Sequence, residues 1–256
     1  MEAFTAKRPR LTVVGAGPGD PELITLKAVN ALRKADVVLY DALANPVLLD
    51  YCHPFCEKVF VGKIGHQKGI TQDDINHLIV EKAHSAGHVV RLKGGDPFIF
   101  GRGIEEMEYA AENEIETDYI PGISSVMSGG FSNIPLTDRR FSDGFWVITG
   151  HKSDGSLSED LRIAAQTNAT VVVLMGMSKL AVIAEIYKEN NKMEIPVAII
   201  QNATTPEEKI GVGTIGNMVK MAAENMLSNP AVIIIGEVVN FHKKHLGRLS
   251  KELLEQ

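Results

Sequence analysis

Features typical of secreted, membrane-spanning and nucleic-acid-binding proteins are scarce in this sequence. Its 256 residues include 2 cysteines, Cys52 and Cys56, which does not fit the disulfide framework of a small secreted domain. No apolar run approaches the roughly 18 residues that cross a bilayer, and residues 1–10 lack the apolar core of a secretory signal. The 26 basic and 32 acidic residues give a net charge of −6, which argues against nucleic acid as the main partner. We therefore expect a cytoplasmic protein with neither a membrane nor a nucleic acid as its partner.

The pattern for a metal site is weak. Cys52, His53 and Cys56 could supply ligands, but structural zinc generally takes four of them. Two reduced cytosolic thiols are the simpler interpretation, so we predict no bound metal. The acidic net charge also means that an anionic small molecule would need a locally basic cleft.

Short β-rich apolar runs alternate with amphipathic stretches through nearly the whole sequence, which predicts a layered α/β architecture. The predicted strands are 11–14, 37–40, 58–61, 88–92 and 117–120, followed by 145–149, 170–175, 196–201, 209–214 and 231–236. The short polar connector 202–208 indicates a hairpin, so the second sheet should be mixed. The loop-forming pair Pro121-Gly122 is the expected boundary between an N-terminal domain, 1–121, and a C-terminal domain, 122–256.

Two helices are predicted in the first half. Residues 22–35 place Leu23, Leu26, Val29 and Leu32 on one row with a spacing of three. Residues 71–86 begin with Thr71 and Asp74 at capping-box spacing and end before a glycine.

The first predicted strand leads into a glycine-rich loop, GAGPGD at 15–20, that partly matches the dinucleotide fingerprint. Asp20 occupies the third glycine position, where its carboxylate would repel a diphosphate, and Pro18 removes an N–H group that anion binding would use. The loop therefore argues against NAD or FAD, although a nicotinamide-linked oxidoreductase remains an alternative.

A second dense string, RLKGGDPFIFGRG at 91–103, follows the fourth predicted strand. Open α/β sheets bind ligands at the carboxyl ends of their strands, and here basic side chains surround glycines that allow a close backbone approach. We interpret it as a ligand-binding loop in preference to a tight turn with solvated charges. PGISS at 121–125 is equally compatible with a ligand loop and with a serine that caps a helix. Met175, at a strand end, would more often be core packing than a ligand contact.

These strings together resemble the tetrapyrrole methylase family. VGAGPGDPELITLKA, VVLYDAL, VRLKGGDPFIFGRG, PGIS, IPLTDR, VITGH and PAVIIIGEVV follow one another between about residues 11 and 239 in the order and spacing of that family. The resemblance implies two α/β domains with mostly parallel or mixed five-stranded sheets flanked by helices, a fold distinct from the Rossmann fold. It also implies a homodimer with the cofactor in the cleft between the domains.

The resemblance further implies methylation of uroporphyrinogen III at C2 and C7. The methyl donor would be S-adenosylmethionine, and the products would be precorrin-2, a precursor of sirohaem and cobalamin, and S-adenosylhomocysteine. Residues at the family's cofactor-contact positions are Pro18, Gly94, Gly95, Asp96, Ile99, Ser124, Ser125, Met175 and Ala203. Asp41 and Lys63 fall at the positions of the proton acceptor and the proton donor, and Arg102, Glu105 and His151 fall where the family meets its substrate.

Several alternatives stay open. Ile104, Asp138 and Leu174 depart from the residues common in the family, so a methylase of a later precorrin, or of a modified histidine in an elongation factor, remains possible. A non-catalytic tetrapyrrole-binding protein is a further alternative. Without the resemblance, Asp41 would be interpreted as a capping carboxylate and Lys63 as a solvated lysine at a strand end.

Overall fold

The computed structural model describes residues 7–62, 70–152 and 154–242. The chain divides into two compact units, Met1–Ser125 and Val126–Gln256. The division falls just beyond the Pro121-Gly122 pair at which the sequence places the domain boundary. Each unit contains one five-stranded sheet.

The sheet of the first unit is entirely parallel. Its strands are β1 (Arg10–Gly15), β2 (Val37–Tyr40), β3 (Glu57–Phe60), β4 (His88–Lys93) and β5 (Glu116–Ile120), in the order β3-β2-β4-β1-β5. The central strands are buried almost throughout, as expected for parallel strands covered on both faces. All of the strands predicted in this half are confirmed to within a residue at either end.

Helices cover both faces of this sheet. They are α1 (Leu26–Lys34), α2 (Gln72–Ala86) and α3 (Gly103–Glu112). Helix α1 packs on one face through Leu32, which clusters with Val38 and Val90. Helices α2 and α3 pack on the other face. The unit therefore has three layers, and the carboxyl ends of its strands share one edge.

The two predicted helices have different outcomes. Helix α2 is confirmed, with Thr71 and Asp74 forming a capping box and Gly87 at its end with φ of +112°. The prediction that one helix runs from 22 to 35 is wrong, because α1 begins only at Leu26, where the Thr25 hydroxyl accepts a hydrogen bond from the Ala28 N–H at 3.2 Å. Leu26, expected on the apolar row, is 83% exposed.

The sheet of the second unit is mixed. Its strands are β6 (Phe145–Thr149), β7 (Thr170–Leu174), β8 (Pro196–Gln201), β9 (Lys209–Thr214) and β10 (Ala231–Ile235), in the order β6-β7-β10-β8-β9. Strands β6 and β7 are parallel, whereas β10 is antiparallel to β7 and β8, and β8 and β9 are antiparallel. The predicted hairpin and the mixed sheet are confirmed.

Helices α5 (Asp160–Ala164), α6 (Leu180–Glu189) and α7 (Met218–Glu224) cover one face of this second sheet. The other face packs against residues on either side of the short helix α4 (Ser128–Phe131), including Val126 and Ile134, and against Val238 and Val239. Two five-stranded sheets flanked by helices confirm the predicted α/β class. No helix within the described parts of the chain has both the length and the apolar composition needed to cross a membrane.

Candidate functional site

Three glycines bring the carboxyl ends of β4, β1 and β5 together in the first unit. A Cβ atom on Gly15 would lie 2.4 Å from the nitrogen of Gly122, and one on Gly122 would lie 2.3 Å from the carbonyl oxygen of Gly95. The N–H of Gly95 donates to the carbonyl of Gly17 at 2.7 Å. Because real Cβ atoms do not approach other atoms this closely, only glycines allow these loops to pack backbone against backbone.

Gly95 also lies next to the loop after β5. The position that a Cβ would take on Gly95 is 3.6 Å from the Ser125 nitrogen and 4.0 Å from the Ser124 Cα atom. Gly95 has φ of +67°, a conformation that favours glycine. The fold therefore gathers at one sheet edge the predicted cofactor-binding positions of this unit: Pro18, Gly94, Gly95, Asp96, Ser124 and Ser125. Ile99, on the same loop as Gly95, is 39% exposed.

Asp96 fastens this loop to β5. One carboxylate oxygen accepts hydrogen bonds from the Tyr119 hydroxyl at 2.6 Å and from the Gly122 N–H at 3.1 Å, and the other accepts from the Phe98 N–H at 2.8 Å. The Phe98 ring stacks on the Tyr119 ring with centroids 3.9 Å apart. Burial, together with the hydrogen bond to Asp96, raises the pKa of Tyr119 well above its usual value. Asp96 thus has a structural role in addition to the cofactor contact that the sequence predicts.

We expect Asp96→Ala to lower the free energy of unfolding by about 3 kcal/mol, because it leaves the Tyr119 hydroxyl and the Gly122 N–H without their acceptor. Urea denaturation of the variant measures this loss. Tyr119→Phe is the matched control, since it removes one of these hydrogen bonds and should lose about 1 kcal/mol. Equal stability of Asp96→Ala and the unsubstituted protein would show that the hydrogen bonds of Asp96 to Tyr119 and Gly122 do not stabilise the fold.

The glycine-rich loop after β1 differs from a dinucleotide-binding loop. The Asp20 carboxylate accepts a hydrogen bond from the Glu22 N–H at 2.8 Å and so caps the 3₁₀ turn Pro21–Leu23. In dinucleotide-binding folds the helix begins directly after the glycines and directs its N-terminus at the diphosphate, whereas here α1 begins only at Leu26.

Two basic residues of the second string are buried, which corrects their interpretation as cations open to a ligand. Arg91 and Lys93 have side chains 2% and 6% exposed, and both donate to Oε1 of Glu106, at 3.2 and 2.8 Å. Both lie on the same face of β4 as Val89, which α2 and α3 cover. Burial, and then the charge of Arg91, lowers the pKa of Lys93.

Asp41 lies directly after β2 and beside this cluster. Its Oδ1 accepts a hydrogen bond from Arg91 Nη2 at 2.6 Å, and its side chain is 26% exposed. It therefore contacts a buried cation while remaining accessible from outside the unit. Lys63, the predicted proton donor, lies outside the described residues.

Arg102 and Glu105 form a surface pair at the start of α3. Arg102 Nε lies 3.0 Å from both carboxylate oxygens of Glu105, and Nη2 lies 2.5 Å from Oε2. This hydrogen bonding lowers the pKa of Glu105. Arg102 precedes the helix with φ of +59°. The expectation from spacing that both side chains share one face of the helix agrees with this pairing, while their contact with substrate stays a prediction.

The second unit has a similar convergence of strand ends. A Cβ atom on Gly150 would lie 2.5 Å from the Cα atom of Gly176, so the loops after β6 and β7 also pack backbone against backbone. Met175 has φ of +56° and is 46% exposed, so the interpretation of Met175 as core packing is wrong. Because β6, β7 and β8 run in the same direction, His151, Met175 and Ala203 follow their strands at the same sheet edge.

Ala203 is buried in a tightly folded loop after β8. The residues on either side, Asn202 and Thr204, have φ of +48° and +67°. The Glu208 carboxylate accepts hydrogen bonds from the Thr204 N–H at 2.7 Å and from the Ser132 hydroxyl at 3.3 Å. Glu208 therefore holds the backbone of this loop in place.

Sequence reasoning missed the side chains that support the site. Glu106, Tyr119 and Glu208 each hold a predicted site residue or its loop, but their partners are distant in the sequence. The sequence does give one indication for Glu106. It follows Glu105 directly in the string GRGIEE, and neighbouring residues of a helix point to different sides, so the two glutamates face different surroundings.

The described residues contain no group of three histidine, cysteine, aspartate or glutamate side chains placed to hold a metal ion. Burial raises the pKa of the Cys56 thiol to about 12.

Comparison with known proteins gives a consistent result. Residues 10–219 match the model of the Tetrapyrrole (Corrin/Porphyrin) Methylases. The uroporphyrinogen-III C-methyltransferase of Methanocaldococcus jannaschii is 41% identical over 234 residues, which cover 90% of this chain and 97% of that protein. A siroheme synthase of Chromobacterium violaceum is also 41% identical over 234 residues, but these cover 91% of this chain and 50% of the synthase. The chain spans about half the length of the siroheme synthases that it matches.

A solved structure resembles this fold closely. It is the uroporphyrin-III C-methyl transferase of Thermus thermophilus complexed with S-adenyl homocysteine, which is 37% identical, covers 90% of this chain and 99% of that chain, and has a TM-score of 0.77. The family match extends over most of both units and includes the glycine loops after β1 and β4. This chain belongs to the tetrapyrrole methylases.

Proposed function

We propose that this chain methylates uroporphyrinogen III at C2 and C7, with S-adenosylmethionine as the methyl donor and precorrin-2 and S-adenosylhomocysteine as products. The convergence of Gly15, Gly95 and Gly122 with Ser124 and Ser125 carries this proposal, because it forms a backbone-lined edge at the predicted cofactor-contact positions. The Methanocaldococcus jannaschii relative, nearly all of which is matched, supports the same activity. The product precorrin-2 would feed sirohaem or cobalamin biosynthesis.

The backbone at Gly94 to Asp96 is the proposed contact for S-adenosylmethionine in the first unit. No side chain projects from Gly94 or Gly95, and Asp96 directs its carboxylate into the unit, where it holds the loop against β5. Rigid loops of this kind hold a donor and an acceptor carbon in line, and good alignment supplies up to about 7–11 kcal/mol of the barrier reduction. In the second unit, the exposed Met175 and the loop around Ala203 are the proposed cofactor contacts.

S-adenosylmethionine, when bound, would supply the methyl group, with the S–CH₃ electron pair passing to sulfur. For each methyl group the tetrapyrrole would gain one C–C bond and lose one proton. Asp41 is the proposed acceptor of this proton, because its carboxylate is partly exposed and tied to Arg91. Lys63 is the proposed proton donor by family resemblance. The same resemblance supports a cytoplasmic homodimer that binds neither membrane nor nucleic acid.

Anaerobic incubation with uroporphyrinogen III and methyl-labelled S-adenosylmethionine, followed by mass analysis, tests the proposed function. We expect a product that has gained two labelled methyl groups. Excess S-adenosylhomocysteine should inhibit the reaction, which controls for chemical methylation. Absence of labelled product, or methylation of a later precorrin in place of uroporphyrinogen III, would contradict the proposal.

The carboxylate-rich substrate is the proposed ligand of Arg102, Glu105 and His151. We expect Arg102→Lys to raise the KM for uroporphyrinogen III by about 10- to 100-fold, because lysine keeps the charge but loses the two-pronged hydrogen bonding of the guanidinium. The affinity for S-adenosylhomocysteine should change little. Steady-state kinetics and calorimetry measure these two quantities.

Arg162→Lys is the matched control for this prediction. Arg162 also pairs with surface glutamates, Glu159 three residues away at 3.4 Å and Glu189 at 2.8 Å, but it lies on α5, which carries none of the predicted site residues. Its substitution should leave both quantities unchanged. A fall in cofactor affinity with an unchanged KM in Arg102→Lys would assign Arg102 to the cofactor.

A further inference from the structure

The first unit contains a buried cluster of charged side chains between its sheet and helices α2 and α3. Glu106 is fully buried, and it links Arg91 to Lys93 through a single oxygen, Oε1. Gln72 Nε2 donates to the same oxygen at 3.2 Å. Asp41 is the most exposed of the four charged side chains. The cluster therefore extends from the closed interior to one accessible carboxylate.

Stability alone does not account for charges at this place. Burying ions costs free energy that their mutual attraction often fails to recover, and well-packed apolar residues commonly do as well. The layer around the cluster is apolar, with Leu39, Val89 and Ile79 buried in it. An apolar residue at 91 would continue the pattern of β4, so the presence of arginine calls for a role in which its charge and shape are used.

The guanidinium of Arg91 is fixed on several sides. Its Nε donates to Glu106 at 3.2 Å, and its Nη1 lies 3.4 and 3.3 Å from the carbonyl oxygens of Leu39 and Leu92. The remaining Nη2 donates to Oδ1 of Asp41 at 2.6 Å. A planar group held in this way cannot turn, so it holds Oδ1 in one place. The other Asp41 oxygen, Oδ2, forms an ion pair with Lys93 Nζ at 4.0 Å, a distance beyond hydrogen-bonding range.

We propose that Arg91 and Glu106 are positioning residues for Asp41 in the methyl transfer. Glu106 fixes the guanidinium, the guanidinium fixes Oδ1, and Oδ2 is left to accept the proton that the methylated tetrapyrrole releases. The proton then passes from Oδ2 to solvent, and Asp41 returns to its ionised form. This inference rests on the proposed function, in which Asp41 is the proton acceptor.

A double-mutant cycle between Arg91→Lys and Asp41→Asn tests the inference. Lysine keeps the positive charge but lacks the planar fork that spans Glu106 and Asp41. With Asp41 present, Arg91→Lys should lower kcat by about 10²-fold, the size of effect expected from displacing a reacting group. In the Asp41→Asn background the same substitution should change kcat by less than about 2-fold, because the group that Arg91 positions is already lost.

The affinity for S-adenosylhomocysteine separates positioning from general damage. It should stay within about 2-fold of the unsubstituted value in every variant, because Arg91 is not proposed to touch the cofactor. Ile79→Val is the control for packing, since Ile79 is buried in the same layer, and it should leave kcat unchanged in both backgrounds.

A second variant tests the inference independently if Arg91→Lys fails to fold. Arg91→Met removes the guanidinium but leaves Glu106 paired with Lys93 at 2.8 Å, so neither fully buried charge loses its ion-pair partner. It should reproduce the loss of kcat with Asp41 present and show no further loss with Asp41→Asn.

Equal losses of kcat in the two backgrounds would overturn the inference, as would an unchanged kcat in Arg91→Lys. The unsubstituted protein is assayed first, so a failure of the proposed function is recognised separately by the absence of any methylated product.

Discussion

Asp41→Asn is expected to lower kcat for uroporphyrinogen III methylation by about 10²- to 10⁴-fold, the range typical of a lost general base. Asparagine has nearly the same shape as aspartate, and its amide oxygen can still accept the hydrogen bond from Arg91. It cannot take up the released proton. The affinity for S-adenosylhomocysteine should therefore remain close to that of the unsubstituted protein.

Single-turnover kinetics with saturating S-adenosylmethionine, combined with calorimetry, measure both quantities. Asp118→Asn is the matched control, because Asp118 also pairs with an arginine of the first unit, Arg10, at 3.4 Å, but lies within β5 and not after its carboxyl end. It should leave kcat unchanged. A normal kcat in Asp41→Asn would reduce Asp41 to a structural partner of Arg91.

Gly95→Val is expected to abolish binding of S-adenosylhomocysteine. The nearest atom to a Cβ on Gly95 is the Ser125 nitrogen at 3.6 Å, an ordinary contact, so the unit itself has room for a side chain. The branched side chain would instead cover the backbone on which the cofactor is proposed to lie. Because φ is +67°, any such substitution also destabilises the folded state, by about 1–2 kcal/mol for the left-handed conformation.

Calorimetry and thermal unfolding distinguish the steric effect from the conformational one. Gly155→Val is the matched control, because Gly155 has φ of +79° and its nearest neighbour, His151 Cε1, is 3.9 Å from the Cβ position. It should lower the Tm by a similar amount while leaving cofactor affinity unchanged. Undiminished binding in Gly95→Val would remove the Gly94 to Asp96 backbone from the proposed site.

The sequence by itself determined the elements whose signals are local. Apolar β-rich runs located the strands. A strand buried on both faces has apolar side chains at nearly every position, so its own sequence is enough to identify it. Helix α2 was fixed at both ends by Thr71, Asp74 and Gly87, which act on backbone groups within a few residues. The hairpin of β8 and β9 and the glycine strings at strand ends belong to the same class of signal.

The start of α1 shows where a local pattern was insufficient. The row from Leu23 to Leu32 fitted a longer helix, but Asp20 and Thr25 each accept a hydrogen bond that starts a separate turn. Apolar periodicity does not reveal which of two adjacent capping residues begins the helix.

Only the tertiary structure decided which polar side chains serve a ligand and which serve the fold. Arg91 and Lys93 looked like ligand-binding cations until Glu106, supplied by α3, placed them in the interior. Asp96 has a structural role as well, because its carboxylate accepts a hydrogen bond from Tyr119 on β5. Each of these partnerships joins different strands or helices, and such pairings depend on strand order and on which face each helix covers. No short stretch of sequence contains that information, because it arises only when distant segments pack together.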